Sequence, residues 1–223
     1  MNPLILAIDT THETGSLALV RAGGSAAETI DEAVLRAPTG FAHVLYGHIE
    51  EMLRRNRLPL AAVDCFAAAS GPGSFTGVRV ALACVKGLAE ALGKPAAGVS
   101  NLRAMAVFGT GGLRAAVLDA RRGEVYGAVY DAAGAAVLPE TVAPLPLWLA
   151  SLPEAQIEFV TCHGFSLDLG ATRFADARVT AAPEALAAAI ARLGWPEAAD
   201  PASLDANYVR RSDAELFWKD PVP

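Results

Sequence analysis

The same order of segments occurs twice in the chain, and this repeat limits the folds open to it. An apolar run ending in an aspartate, a turn and two further strand patterns occupy residues 4–35, and a similar series occupies residues 114–138. Apolar runs of this length predict strands, and the patterns between them predict helices. Two units that each begin with a hairpin favour a duplicated, layered α/β fold.

Two helices are predicted between the strands of the first unit. Apolar residues recur at helical spacing over 41–56 and make one continuous stripe. The second helix, residues 77–92, has charged residues only at Arg79, Lys86 and Glu90, so it is apolar around most of its circumference. Such a helix is covered on two sides, by its own sheet and by a neighbouring helix or a second protein.

Composition and charge exclude several classes of protein. The chain has 223 residues, a net charge of −6 and an apolar fraction of 53%, which excludes a disordered chain. No uncharged run is long enough to span a membrane, and Asp9 interrupts the first apolar run where a signal peptide would continue. The three cysteines include no C-x-x-C pair. We expect a cytoplasmic protein of one large domain or two small ones.

The charge is unevenly distributed along the chain. Residues 1–130 carry 12 Lys and Arg against 11 Asp and Glu, whereas residues 131–223 carry 6 against 13. Neither part is broadly basic, so tight autonomous binding of nucleic acid is not expected. The near-neutral first part is where we expect a protein partner to bind.

A polar turn follows the first strand of each unit. Asp9 is followed by Thr10 and Thr11, and in the second unit Asp119 is followed two residues later by Arg121. A carboxylate at a strand end can orient a hydrated Mg²⁺ against a phosphate. It can equally accept hydrogen bonds from the backbone of its own turn. The sequence leaves both interpretations open.

The segment 71–77, which reads Gly-Pro-Gly-Ser-Phe-Thr-Gly, is the most unusual motif. A glycine-rich turn that leads into a helix N-terminus can bind an anion, which makes Gly71, Gly73 and Ser74 candidate phosphate-binding residues. The segment lacks the lysine of a Walker loop, so a tight structural turn is the alternative.

No metal site is predicted. His43 and His48 are five residues apart on a predicted helix, so their side chains diverge by about 140° instead of sharing a face. Cys162 and His163 are neighbours on a predicted strand and point to opposite sides of it.

Five segments of the chain stand out together: residues 5–10, 16–19, 71–79, 98–102 and 119–126. In their order and spacing they resemble the TsaB (YeaZ-like) family. The Gly-Pro-Gly-Ser-Phe-Thr-Gly-Val-Arg block is the most specific of them. The tail Tyr208-Val209-Arg210 resembles the family's Y-[LV]-R, although Ala206 stands where a proline is usual.

This resemblance implies an α/β fold of the actin-like (ASKHA) class, with two RNase H-like subdomains and mixed sheets. The N-terminal subdomain is expected to comprise residues 1–109, joined by the C-terminal segment 205–223. The C-terminal subdomain is expected to comprise residues 110–204. The aspartate turns and the glycine-rich turn would then be vestigial phosphate-binding turns.

The resemblance implies a non-catalytic scaffold or activator, without a cofactor. Its partners would be a TsaD-like catalytic subunit and a TsaE-like ATPase, in a complex that installs N6-threonylcarbamoyl on the adenosine next to the anticodon of tRNA. The chain would reach tRNA only through that complex. It lacks the H-x-x-x-H metal motif and the glycine-rich adenosine motif of TsaD-type proteins. The alternative is a small actin-fold ATP-dependent phosphotransferase that uses Asp9 and Asp119.

The resemblance also implies pairing through helices 41–56 and 77–92, with the TsaD-like subunit and, when the chain is alone, as a homodimer. A glutamate at Ala81 or Ala89 is then expected to yield a monomer. The expected contact residues are Val44, His48, Met52, Val78, Ala81, Leu82, Val85 and Ala89.

Overall fold

The computed structural model describes residues 2–23 and 27–210. Within these residues the strands are β1 (Leu4–Asp9), β2 (Thr14–Arg21), β3 (Glu28–Arg36), β4 (Cys65–Gly71), β5 (Ala96–Ser100), β6 (Leu113–Asp119), β7 (Glu124–Asp131), β8 (Ala136–Pro144), β9 (Glu158–Thr161) and β10 (Val179–Ala181). The α-helices are α1 (Leu45–Arg55), α2 (Phe75–Leu92), α3 (Asn101–Ala106), α4 (Leu145–Ser151) and α5 (Ala187–Gly194).

The strands form two sheets with the same order and the same directions. The first sheet has the order β3-β2-β1-β4-β5, and the second has the order β8-β7-β6-β9-β10. In each sheet three antiparallel strands form a meander, and two further strands join parallel to the first strand of that meander. The repeat predicted from the sequence is therefore confirmed as a duplicated, mixed-sheet α/β topology.

β1 is buried on both faces because helices cover both sides of the first sheet. Leu4, Leu6 and Ile8 pack in a cluster with α1 and α2, whereas Ile5 and Ala7 pack in a cluster with α3 and α5. The cluster around α3 and α5 continues into buried residues of β6, β7 and β9. The two sheets therefore share one layer of core, and α4 covers the outer face of the second sheet.

The two predicted helices of the first unit are present with shifted ends. The helix predicted over 41–56 is divided into a short 3-10 turn, Phe41–His43, and then α1. The helix predicted over 77–92 begins earlier, at Phe75, because the Ser74 hydroxyl accepts a hydrogen bond from the N–H of the third helical residue.

The second unit also extends further than its sequence pattern. β8 continues past residue 138 through Pro139 to Pro144, a run that the prolines did not suggest. Because β8 is an edge strand, a proline without an N–H can be accommodated there, and the pairing with β7 is irregular at this point.

The C-terminal part of the chain returns to the first sheet. Residues up to 204 were expected in the second subdomain, yet α5 packs on β1, β2 and β4. Ala199 forms a bridge with Ala96 beside β5, and Leu204 is buried in the cluster of α1 and α2. We therefore propose that the first subdomain includes residues 187–210, and residues 211–223 lie outside the described residues.

Glu158 fixes the connection between the two sheets. Its buried carboxylate accepts hydrogen bonds from the N–H groups of Thr110 (2.7 Å) and Gly111 (2.5 Å) and from the Thr180 hydroxyl (2.6 Å). Arg178 lies 3.3 Å away. Burial acts to raise the pKa of Glu158, but these hydrogen bonds and the nearby guanidinium outweigh it and hold the pKa below its usual range.

In the described part of the chain, no helix has the length and apolarity to cross a membrane.

Glu158 predicts an acid-sensitive component of stability. Because the pKa is lowered in the folded state, the unfolded chain binds more protons as pH falls below about 4.3. The stabilisation is present above that value and is lost as pH falls through the folded pKa. We expect Glu158→Gln to lower the free energy of unfolding at pH 7. The further decrease in that free energy as the pH is lowered should be smaller in the variant. Urea denaturation at a series of pH values measures both effects. Glu154→Gln, at an exposed position nearby, is the control, and parallel curves for both variants would contradict the assignment.

The burial pattern of α2 predicts opposite outcomes for two neighbouring positions. Ala81 has no exposed surface, so Ala81→Glu should lower the free energy of unfolding by at least ~3 kcal/mol or prevent folding. Ala83 is exposed, and Ala83→Glu should change the free energy of unfolding by less than ~0.5 kcal/mol. Chemical denaturation followed by circular dichroism measures both. Similar stabilities for the two variants would show that α2 does not pack as described.

Candidate functional site

A cleft of ≈ 1060 Å³ lies between the two halves of the chain. The β1–β2 turn and the start of α2 line one wall, and the β6–β7 turn lines part of the other. Six of the eight predicted phosphate-turn residues line this cleft, whereas Asp9 and Gly71 do not. The six are Thr10, Thr11, Gly73, Ser74, Asp119 and Arg121.

The Asp9 carboxylate is used within its own turn. Asp9 is buried, and Oδ1 accepts hydrogen bonds from the backbone N–H of Thr11 (2.9 Å) and from its hydroxyl (2.7 Å). Asn101, at the start of α3, donates to the Thr11 hydroxyl (2.8 Å) and lies 3.4 Å from Asp9 Oδ2. The sequence left open whether Asp9 orients a metal ion or accepts hydrogen bonds from its own turn, and the geometry favours the second interpretation.

The glycine-rich turn packs directly against the β1–β2 turn. The Ser74 N–H donates to the Thr11 carbonyl (2.7 Å), and the Thr10 hydroxyl donates to the Gly77 carbonyl (2.7 Å). A Cβ at Gly77 would lie 1.9 Å from the Thr10 carbonyl oxygen, and one at Gly73 would lie 2.7 Å from that of Thr11. These two glycines therefore allow close approach of the chain to itself, where a phosphate-binding loop would leave room for the ligand.

The β6–β7 turn has an unusual backbone. Arg121 (φ 63°) and Arg122 (φ 56°) both adopt the left-handed region, which disfavours a residue with a side chain by roughly 1–2 kcal/mol. The Arg121 N–H donates to the Asp119 carboxylate (2.7 Å). Across the cleft, the Arg121 guanidinium lies 3.4 Å from Glu13 of the first half. Both side chains are highly exposed, so this pair contributes little to stability.

Three histidines, His12, His43 and His163, line the same cleft. Among residues 2–23 and 27–210, no group of three or more His, Cys, Asp or Glu side chains is arranged to hold a metal ion.

The structure corrects the expected contact residues on the two helices. Val44 is half-buried and His48 is exposed, so both reach the surface. The other six pack inside the chain because each helix turns its larger apolar side chains toward the first sheet. Glutamate at Ala81 or Ala89 would therefore test folding instead of pairing. The six buried residues are Met52, Val78, Ala81, Leu82, Val85 and Ala89.

A different set of residues forms the accessible face of the two helices. Tyr46 is 58% exposed, and its hydroxyl lies close enough to the Cys84 thiol for each group to affect the pKa of the other, so Tyr46 lies beside α2. Burial raises the pKa of the Cys84 thiol to about 11, which keeps it neutral at physiological pH. Around Cys84, the surface of α2 carries Val80, Ala83 and Gly87. We call Tyr46, Val80, Ala83 and Gly87 the helix-pair face.

Two contacts at or beside the cleft were not predicted from the sequence, although both residues lie in segments that carry the family resemblance. Asn101 is buried and holds the β1–β2 turn, and the sequence marks it only as a member of the segment 98–102. Arg210 lines the cleft and donates to the Ala120 carbonyl (2.9 Å), a contact between residues 90 positions apart that no local pattern reveals.

Two sheets of identical topology, with a cleft between them, define an actin-like α/β protein of the ASKHA class. The family model described as "TsaD: tRNA N6-adenosine threonylcarbamoyltransferase" matches residues 36–154. The Bacillus subtilis "tRNA threonylcarbamoyladenosine biosynthesis protein TsaB" is 31% identical, over 96% of this chain and 97% of its own length. The chain therefore belongs to the TsaB family.

Two further relatives agree with this assignment. The Escherichia coli protein of the same description is 36% identical, over 57% of this chain and 54% of its own length. The solved structure described as "YeaZ from Pseudomonas aeruginosa" is 27% identical and superimposes with a TM-score of 0.70, over 92% of this chain and 99% of its own length.

The contact between the two turns predicts opposite effects of alanine at two glycines of α2. Gly77→Ala should lower the free energy of unfolding by at least ~2 kcal/mol, because its Cβ would overlap the Thr10 carbonyl. Gly87→Ala is the control, since its Cβ would meet nothing within 4 Å, and it should raise stability by ~0.5–1 kcal/mol. Urea titration measures both, and a Gly77→Ala variant as stable as the unmodified chain would contradict the contact.

Proposed function

We propose that this chain is a non-catalytic subunit in the biosynthesis of tRNA threonylcarbamoyladenosine. In this proposal it docks a TsaD-type catalytic chain in the cytoplasm, and the assembled complex includes a TsaE-type ATPase. The chain would meet tRNA only through the complex. One observation carries the non-catalytic role: the two turns that would hold a phosphate are hydrogen-bonded to each other.

The turn contact bears on catalysis in two ways. The Ser74 N–H, at the N-terminus of α2, donates to the Thr11 carbonyl, although a phosphate would take this position in a nucleotide-binding loop. The Asp9 carboxylate, which would orient a metal ion, accepts two hydrogen bonds from Thr11. Both groups therefore already have partners within the chain, which supports a structural role for this wall of the cleft.

The helix-pair face supports docking of a related chain. Tyr46 provides a large exposed ring, and the α2 part of the face is small and apolar. At Gly87 and at Gly47 of α1, an added Cβ would meet nothing within 4 Å, so a partner helix can approach closely. The TsaD family model matches a range that includes both helices, so a TsaD-type partner is expected to have the equivalent pair. Packing of one helix pair on the other, in nearly twofold symmetry, would bury both faces.

The same geometry supports a homodimer when the chain is alone, because two copies would present identical faces to each other. The helix-pair face would then be shared between self-association and docking of the catalytic chain, so the two assemblies would compete.

Reconstitution from purified components tests the function. We expect tRNA threonylcarbamoylation by a TsaD-type chain, a TsaE-type ATPase and this chain to fall at least about tenfold when this chain is left out. Undiminished modification would overturn the proposal. Calorimetry with Mg-ATP tests the phosphotransferase alternative, and tight binding accompanied by turnover by this chain alone would favour that alternative.

Gly87→Glu tests the docking surface. An exposed helical glycine can take a glutamate without loss of helix stability, so the chain should fold while the charge blocks a close helix contact. We expect loss of association with the TsaD-type chain, and loss of the homodimer, by sedimentation. Ala133→Glu adds the same charge at an exposed turn of the second half and should leave both assemblies intact. Equal assembly of the two variants would exclude the helix-pair face.

A further inference from the structure

The segment 204–210, here called the tail brace, lies against both halves of the chain. On the first half, Leu204 is buried in the core beside α1 and α2. The Asn207 N–H donates to the Ser70 carbonyl at the end of β4 (2.8 Å). Gly71 has a positive φ of 104°, and a Cβ there would lie 2.9 Å from the Asn207 carbonyl. The tail brace therefore packs on the backbone at the start of the glycine-rich turn.

An aromatic contact joins the tail brace to the first turn of α2. The Tyr208 ring lies 5.1 Å from the Phe75 ring, between centroids. Arg79 donates from Nε to the Tyr208 hydroxyl (2.9 Å), and its guanidinium lies 3.7 Å above the Phe75 ring. Phe75 and Arg79 belong to the glycine-rich block and Tyr208 to the Tyr-Val-Arg motif, so the structure brings two motifs into contact, and the proposed function makes no use of this contact.

On the second half, the tail brace makes side-chain contacts with β8 and with the β6–β7 turn. Asn207 Nδ2 donates to the Glu140 carboxylate (2.5 Å), which also accepts the Tyr130 hydroxyl (2.8 Å). Arg210 Nη1 donates to the Ala120 carbonyl (2.9 Å), and its other terminal nitrogen pairs with Glu124. Arg210 is therefore bound at both ends of the β6–β7 turn.

The β6–β7 turn needs support of this kind. Arg121 and Arg122 are consecutive left-handed residues that have side chains. Such conformations persist only where the surrounding structure determines them. The turn's own hydrogen bonds, Ala120 N–H to the Glu124 carbonyl and Glu124 N–H to the Arg121 carbonyl (both 3.0 Å), close it locally. Arg210 binds the same two residues, Ala120 and Glu124, from outside the turn.

We infer that the tail brace is a positioning element that holds the β6–β7 turn against the glycine-rich turn and so sets the shape of the cleft. A segment of the chain thus links the start of the glycine-rich turn to the β6–β7 turn. Arg210 is its positioning residue on the second half, and Asn207 with Tyr208 anchors it on the first. This inference goes beyond the proposed function, because it concerns the isolated chain and does not require a partner.

Two shortened chains test the tail brace by amide hydrogen exchange. One ends at Arg210 and keeps the brace, and the other ends at Asp205 and keeps only the buried Leu204. We expect amides of residues 120–124 to exchange at least about tenfold faster in the shorter chain, while those of β4 stay protected in both. Equal exchange of residues 120–124 in the two chains would overturn the inference.

Point variants of the full chain keep the test decisive if the shorter chain does not fold. Arg210→Gln and Glu124→Gln should each speed exchange of residues 120–124 about tenfold, and the double variant should add little, because both remove the same pair. Arg103→Gln breaks another partly exposed ion pair, with Glu197, and should leave residues 120–124 unchanged. If the amides of residues 120–124 exchange at the same rate in Arg210→Gln as in Arg103→Gln, the tail brace does not hold the turn. None of these readouts depends on tRNA modification, so their failure is separate from failure of the proposed function.

Discussion

The backbone contact between the β1–β2 turn and the glycine-rich turn is the constraint on which the cleft depends. Gly77 lies so close to the Thr10 carbonyl that a single added carbon could not be accommodated, and the Ser74 N–H points at the Thr11 carbonyl. A loop that binds phosphate needs free N–H groups and open space at a helix N-terminus. Here the same glycines remove that space, so the glycine-rich turn contributes to packing between turns.

The shared core between the two sheets explains why the cleft has a defined shape. α3 and α5 are rich in alanine and pack between the sheets, where small side chains allow close approach of backbone to backbone. The Glu158 carboxylate holds the segment that connects the two sheets. The tail brace, at the C-terminal end of the described residues, contacts both sheets. The orientation of the two halves therefore rests on contacts from several distant parts of the sequence.

The two sides of α2 carry different residues, which accounts for part of the high apolar content of the chain. The larger side chains, such as Val78, Leu82 and Val85, fill the core against the first sheet. The side away from the sheet carries smaller residues around Gly87, beside the exposed ring of Tyr46. A helix that is apolar on nearly every side thus buries one face within its own chain and leaves a second face of small residues exposed.

The amino-acid sequence was sufficient to predict the duplicated strand order, the two main helices and the family, because periodicity and the glycine-rich block are local signals. It did not determine which helical residues face outward: the eight expected contact residues included six that are buried, since helical spacing identifies an apolar stripe but not what covers it. Nor could it distinguish a phosphate loop from a packed turn, because both need glycine at Gly73 and Gly77. These two points, and the contact of Arg210 with the β6–β7 turn, follow only from the folded chain, because each depends on backbone brought together from distant parts of the sequence.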